Sequence, residues 1–274
     1  MIRTASRHDL TALRELFARA NDAPYDLARV AEEKCFGDGI AGEALCRVFE
    51  EDGRIAGAAV SCGRWVRILA VAPESRHRGI GRRLLADAEA RGATRIAAEA
   101  GNYFTPGVVE SDASTRAFLT SLGYMPGAET WNLEVRLDGI EADGQARRTT
   151  REDAPRVLAF IERQFGRIWR FEAEKAFARE LPPLFHTEDH GEITGFAAHD
   201  VNNAGLGFFG PTGVSTSLRG RGLGKTLLLA SLADLRRLGY TKAVIPWTDA
   251  LAFYEKSCGA KAAHRFIAFE RPRS

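Results

Sequence analysis

Two stretches decide the reading of this chain: residues 69–85, LAVAPESRHRGIGRRLL, and residues 212–228, TGVSTSLRGRGLGKTLL. In each, an apolar run ends in a valine, Val71 or Val214, and an arginine follows five residues later. That arginine opens the pattern Arg-x-x-Gly-x-Gly: Arg76, Gly79, Gly81 and Arg219, Gly222, Gly224. A Leu-Leu pair closes both, Leu84-Leu85 and Leu227-Leu228. These positions recur at a shift of 143 residues, as from Gly79 to Gly222. The chain reads as an internal duplication.

Each copy of the pattern predicts a strand, a glycine turn and a helix. The first N–H groups of a helix have no intrahelical partner, and the helix dipole is positive there. Glycines let the chain curl tightly and let an anion approach without meeting a Cβ. Basic residues crowd both turns: Arg76, His77, Arg78, Arg82 and Arg83 in the first, Arg219, Arg221 and Lys225 in the second. Cations in a first turn oppose the dipole, at about 0.3–1 kcal/mol each. A multiply charged anion held between them accounts for their presence. Two familiar phosphate loops fail on spacing. A GxxxxGK[ST] loop would need glycine five before Gly224, where Arg219 stands, and neither copy has the third glycine of GxGxxG.

The duplication extends outward. Arg3–Asp9 resembles Arg148–Asp153, each a short strand running into a helix capped by Ser6 or Thr150. Helical spacing follows in Leu10, Leu13, Leu16, Phe17 and in Val157, Leu158, Ile161, Phe165, with second short helices at 27–35 and 171–179. Hairpins are expected at 44–61 and 184–201, and strands ahead of the glycine turns at 65–71 and 206–209. Helices at 79–91 and 222–238 end at Gly92 and Gly239, and strands 95–100 and 243–247 follow. A further helix in each copy precedes a last strand, 132–137 or 265–270. The order predicts a mixed α/β sheet in each of two domains, 1–138 and 145–274, joined by the polar, glycine-bearing segment 138–144.

Bulk properties agree with two ordinary domains. The 274 residues are 45% apolar and 27% charged, with a formal charge of +2, which gives no global electrostatic case for nucleic acid. Cys35, Cys46, Cys62 and Cys258 show no metal-ligand spacing and read as reduced thiols of a cytoplasmic protein. No apolar run approaches spanning length, so no membrane partner is expected. No metal is implied either.

The doubled motif resembles that of the GNAT superfamily of acyl-CoA-dependent N-acyltransferases, whose signature is L-x-V-x-P followed by [RQ]-x-x-G-x-[GA] and a helix. The first copy fits throughout, with Leu69, Val71, Pro73, Arg76, Gly79 and Gly81; the second keeps Val214, Arg219, Gly222 and Gly224 but carries its proline earlier, at Pro211. The resemblance spans nearly the whole chain and implies two tandem GNAT folds. It implies acetyl-CoA (CoA) as co-substrate, its pyrophosphate on Arg78, Gly79, Ile80, Gly81 and Arg82, or on Gly220, Arg221, Gly222, Leu223, Gly224 and Lys225. The preceding strand would line the pantetheine and polarise the thioester. A primary amine, small molecule or peptide, would attack directly, in a monomer or homodimer.

The resemblance also implies a tyrosine that protonates the departing thiolate. AFYEKSCGA at 252–260 supplies Tyr254, whereas RAFLTSLGY in the first copy has Leu119 there, which cannot donate. The second copy is therefore expected to catalyse, and the first to bind acyl-CoA without turnover. Asp249, just past the strand at 243–247, is the candidate to accept the amine proton, with His199, Asp200 and Glu192 as further candidates; none of the four has a motif and each is more readily a surface or structural residue, while Trp247 fits an acceptor pocket or the core equally well. In the first copy the longer connection 101–111, with Tyr103, Phe104 and Pro106-Gly107, reads as an ordered loop.

Overall fold

The computed structural model describes residues 1–20 and 22–272. In chain order the elements are β1 (Ile2–Thr4), α1 (Leu10–Ala20), α2 (Ala31–Phe36), β2 (Leu45–Glu51), β3 (Arg54–Cys62), β4 (Trp65–Val71), α3 (Ile80–Glu89), β5 (Arg95–Ile96), β6 (Val108–Val109), α4 (Ala113–Ser121) and β7 (Met125–Arg136). There follow β8 (Arg147–Arg148), α5 (Ala154–Phe165), α6 (Arg167–Glu174), β9 (Leu184–Asp189), β10 (Glu192–His199), β11 (Phe209–Val214), α7 (Leu223–Arg237), β12 (Lys242–Thr248), α8 (Leu251–Cys258) and β13 (Lys261–Glu270). Apart from β6, which the second copy lacks among the described residues, the same order of elements occurs twice in a mixed α/β architecture.

Contacts divide the chain into two units, Met1–Thr130 with His264–Ser274, and Trp131–Ala263. The units interleave along the sequence instead of meeting in segment 138–144, as the expected domains 1–138 and 145–274 would. Hydrogen-bond partners, not chain position, decide the assignment. The last strand β13 runs antiparallel to β5 and β6, pairing Phe269 with Ile96 and Phe266 with Val109. The second half of β7 runs antiparallel to β12, from Lys242↔Arg136 to Ile245↔Leu133.

In unit 1 the strand order is β1-β2-β3-β4-β5-β13, antiparallel except where β4 and β5 run parallel. Helix α3 buries Ile80 and Leu84 against Phe49, Ala56 and Ala59, and Leu85 and Ala88 against a cluster with Val66, Ile96 and Phe269. Each such leucine contributes about 1.5–3 kcal/mol on burial. In unit 2, β11-β10-β9-β8 form an antiparallel sheet, and α7 buries Leu227, Leu228, Leu232 and Leu235.

A further repeat sets the depth of both helices. A methyl group added at Gly57 would meet Ile80 and Leu84 at 3.0 Å, and one at Gly195 would meet Leu227 at 2.9 Å. Gly57 pairs with Val71, and Gly195 with Val214. The same glycine therefore sits beneath the same leucine in each copy, so that the helix after the glycine turn lies close on its sheet.

Several expectations of local structure shift, among them the strand expected at 265–270, which begins at Lys261, and the short helices expected at 27–35 and 171–179, which lie at Ala31–Phe36 and Arg167–Glu174. The strand expected at 206–209 lies at 209–214, because Gly210, Pro211 and Gly213 are tolerated on a strand that ends its sheet. The strand expected over 95–100 stops at Ile96, where Ala97 and Ala98 adopt φ of +54° and +53°. The strand expected at 132–137 begins at Met125.

Candidate functional site

Strands β4 and β5 pair only at Trp65↔Arg95 and Val66↔Ile96, and then part. The N–H of Ala97 reaches the Val66 carbonyl at 2.8 Å, and no ladder continues beyond it. Unit 2 repeats this wedge: β11 and β12 are linked by a single parallel bridge, Phe208↔Val244, just ahead of β11. A strand parted from its neighbour offers free edge groups to whatever lies in the gap. In unit 1 the wedge opens into a cavity of about 550 Å³. Leu69, Val71, Gly79, Ile80, Gly81 and Arg82 line its glycine-turn end.

Both glycine turns have the geometry that the spacing predicted. Gly79 and Gly222 stand at the helix N-cap with φ of +77° and +83°, and no side chain caps either helix. A methyl group at Gly81 would touch Phe118 at 3.4 Å, and one at Gly224 would touch Phe253 at 3.5 Å, so the small residue seats the aromatic of the following helix.

The cations around the turns differ. Arg76 is tied to Asp22 at 2.8 Å and donates to the carbonyls of Val71 and Ala20; Arg78 pairs with Glu51 at 2.7 Å. Of the four arginines at the unit 1 turn, Arg82 and Arg83 form no ion pair among the described residues, and Arg83 lies over the Phe49 ring at 4.8 Å. In unit 2, Arg219, Arg221 and Lys225 likewise form none among the described residues. These three cations stand beside the uncapped N-terminus of the fifteen-residue helix α7, an arrangement that favours an anion. Gly220 and Leu223 sit between them in sequence, with Gly220 at φ +83°, and Val214 ends the strand that delivers the turn.

Tyr254 and Leu119 occupy matching places on α8 and α4, each directly after the phenylalanine that packs on the glycine turn. Tyr254 is buried, with its ring edge-on to Phe209 at 6.3 Å and to Phe253 at 4.9 Å. Burial, reinforced by Cys258, pushes its phenol up to about 12, so the hydroxyl stays protonated across the neutral range. Leu119 is fully buried and lines the unit 1 cavity. Asp249 lies exposed in the turn between β12 and α8, and no hydrogen bond among the described residues joins it to Tyr254. Trp247 stands at φ +51°, its N–H held by the Asn132 side chain at 2.9 Å and its indole 42% exposed.

His199 and Asp200 are structural. The His199 Nε2 lies 2.9 Å from Asp234, which also takes Arg148 and Arg237, and its ring stacks on Phe185. Burial depresses the His199 pKa against the pull of Asp234. Asp200 folds its own loop, accepting from the N–H of Gly205 and from Arg179 and Tyr240. Glu192 is exposed at the start of β10. Asp153, His186 and Glu188 come within 4.8 Å of one another, a spacing a metal ion could bridge. Arg147 and Arg156 already occupy Glu188 at 3.0 and 2.9 Å, so the cluster is charge-balanced as it stands.

Sequence reasoning missed a buried polar assembly behind the unit 1 cavity. Arg67, on β4, grips Glu99 through two bonds of 2.6 and 2.7 Å and donates to the carbonyls of Lys34 and Gly37. Lys34 is itself fully buried and donates to Asn102 at 2.9 Å. The signal was present: a single arginine within the apolar run WVRILAV. Loop 101–107 also turns inward, and Phe104, Thr105 and Gly107 line the cavity.

Comparison with known proteins agrees with this geometry. Residues 30–126 match a family model described as acetyltransferase (GNAT) domain, and residues 149–260 one described as acetyltransferase (GNAT) family. Among solved structures, a GCN5-related N-acetyltransferase from Sphaerobacter thermophilus is 22% identical with a TM-score of 0.72, covering 100% of this chain and 96% of that one. A tandem GNAT protein from the clavulanic acid biosynthesis pathway is 19% identical, with a TM-score of 0.69 over 100% and 99%. A GCN5-related glucosamine N-acetyltransferase region within a fungal multi-domain GH3 β-N-acetylglucosaminidase gives 0.80 at 18% identity, covering 98% of this chain and 38% of that one. A search of the curated proteins found no match.

Proposed function

Since the chain is a tandem GNAT protein, we propose that it is an N-acetyltransferase that transfers the acetyl group of acetyl-CoA to a primary amine, with unit 2 turning over and unit 1 holding acyl-CoA without turnover. The observation that carries this reading is the exchange of Tyr254 for Leu119 at one place in two otherwise similar wedges.

In unit 2 the N–H groups of the first turn of α7, with Arg219, Arg221 and Lys225, would hold the pyrophosphate. The free edge of β11, ending at Val214, would take the pantetheine. An amine nitrogen attacks the thioester carbonyl, the N–C bond forms and the C–S bond breaks. The amine proton leaves through Asp249 or water. Tyr254 meets the sulfur. A phenol near 12 lies above a thiol's ordinary value of about 8.5, so full transfer to the free thiolate runs uphill. Its main contribution is a hydrogen bond, from a donor that stays protonated across the neutral range, to the charge developing on sulfur. Unit 1 lacks this donor, and Arg67 and Glu99, at the back of its wedge, already hold each other.

The test is transfer from acetyl-CoA to a panel of small and peptide amines. Turnover on at least one amine that depends on Tyr254 supports the reading. Binding of acetyl-CoA with no turnover on any amine would make the protein an acyl-CoA sensor instead.

A further inference from the structure

We propose that unit 1 selects acyl-CoA by the length of its acyl chain and favours chains longer than acetyl; this rests on the reading that unit 1 holds acyl-CoA.

The unit 1 cavity has two chemically distinct ends. The glycine turn and Arg82 make the first polar. The other end lies past the point where β4 and β5 part, and its lining is apolar: Leu27, Ile96, Phe104, Val108, Leu119 and Phe266. These side chains are buried, and Phe266 comes from β13, so the last strand of the chain completes the wall. Tyr25 packs edge-on to Phe104 at 6.5 Å and to His264 at 5.9 Å, backing the aromatic side of the pocket.

The polar side chains beside these residues in the lining are bonded within the protein, the Asp112 carboxylate accepting from the Thr115 N–H and the Ser114 hydroxyl. Arg67 spends its donors on Glu99, Lys34 and Gly37, and the Thr105 hydroxyl donates to the Gly107 carbonyl at 2.8 Å. An ordered water needs two to four polar partners, and a wall of apolar side chains supplies none and favours hydrocarbon. An acetyl group, ending near the thioester, would leave that volume empty. A longer alkyl chain fills it. At about 0.8 kcal/mol per buried methylene, each added CH₂ raises affinity about fourfold.

The experiment measures binding of free CoA, acetyl-, butyryl- and hexanoyl-CoA to the full chain by calorimetry. Gly224→Asp places a carboxylate in the unit 2 turn and leaves unit 1 to report; Gly81→Asp does the reverse. In the Gly224→Asp protein, affinity should climb about fourfold per methylene from acetyl to hexanoyl. Leu27→Phe, added to it, should flatten that climb while free CoA binds as before. A flat or falling series, with free CoA still bound, overturns the proposal. Should Leu27→Phe fail to fold, the series in Gly224→Asp decides alone. If Gly224→Asp binds no CoA while Gly81→Asp does, the underlying reading of unit 1 is what fails.

Discussion

Tyr254 and Leu119 each follow a phenylalanine seated on a glycine, and their helices end alike, before Gly259 and Gly123 at φ of +72° and +83°. Between such matched positions a phenol is a chemical difference and not a packing one. Replacing Tyr254 by Phe keeps the ring against Phe209 and removes only the donor. The account predicts a fall of about 100-fold in kcat with the KM for acetyl-CoA little changed, read by steady-state kinetics. This residue was legible in the sequence because Phe-Tyr before a glycine is local. Arg67 with Glu99 was not, since its partner lies 32 positions away and only the fold brings them together.

At the scale of elements, the two helices that follow the glycine turns lie close because Gly57 and Gly195 give them room. Alanine at either site forces Leu84 or Leu227 aside, and overpacking of this kind costs about 1–3 kcal/mol. Gly57→Ala and Gly195→Ala should each lower the midpoint of urea unfolding, with the slope unchanged; an unchanged midpoint would mean the leucine shifts freely. The glycine turns themselves were legible from spacing alone, as were α3 and α7. The strands were read less well. Ala97 and Ala98 look like strand residues in sequence, yet they make a left-handed turn in which the Ala98 N–H donates to the Thr105 carbonyl at 3.0 Å. The last strand carries a consequence for binding. Removing residues 264–274 takes Phe266 from the cavity and the pairing partners from β5 and β6, so acyl-CoA affinity in the Gly224→Asp background should be lost along with part of the thermal stability.

For the molecule as a whole, buried titratable groups set the acid limit of stability. Burial holds the His199 and His186 imidazoles below 6.5 despite Asp234 beside the one and Asp153 and Glu188 beside the other. Asp234 is pulled up by burial, but its bonds from His199 and Arg148 outweigh that and bring it to about 2. A group whose folded pKa is depressed stabilises the fold above its unfolded pKa and loses that contribution as pH falls. Thermal stability should hold above pH 7, begin to fall below about 6.5 as the histidines are forced to charge, and fall further between about 4 and 2. His199→Gln should make the first decline shallower. A melting temperature that rises from pH 7 to 5.5 would contradict the assignment. Among the described residues no helix is long and apolar enough to cross a membrane.

The division of labour between the units is tested most directly by one comparison: steady-state transfer from acetyl-CoA to an accepted amine in Tyr254→Phe and in Gly81→Asp. The account predicts that Tyr254→Phe loses about 100-fold in turnover, while Gly81→Asp, with the unit 1 turn blocked, keeps turning over. Full activity in Tyr254→Phe together with none in Gly81→Asp would contradict it.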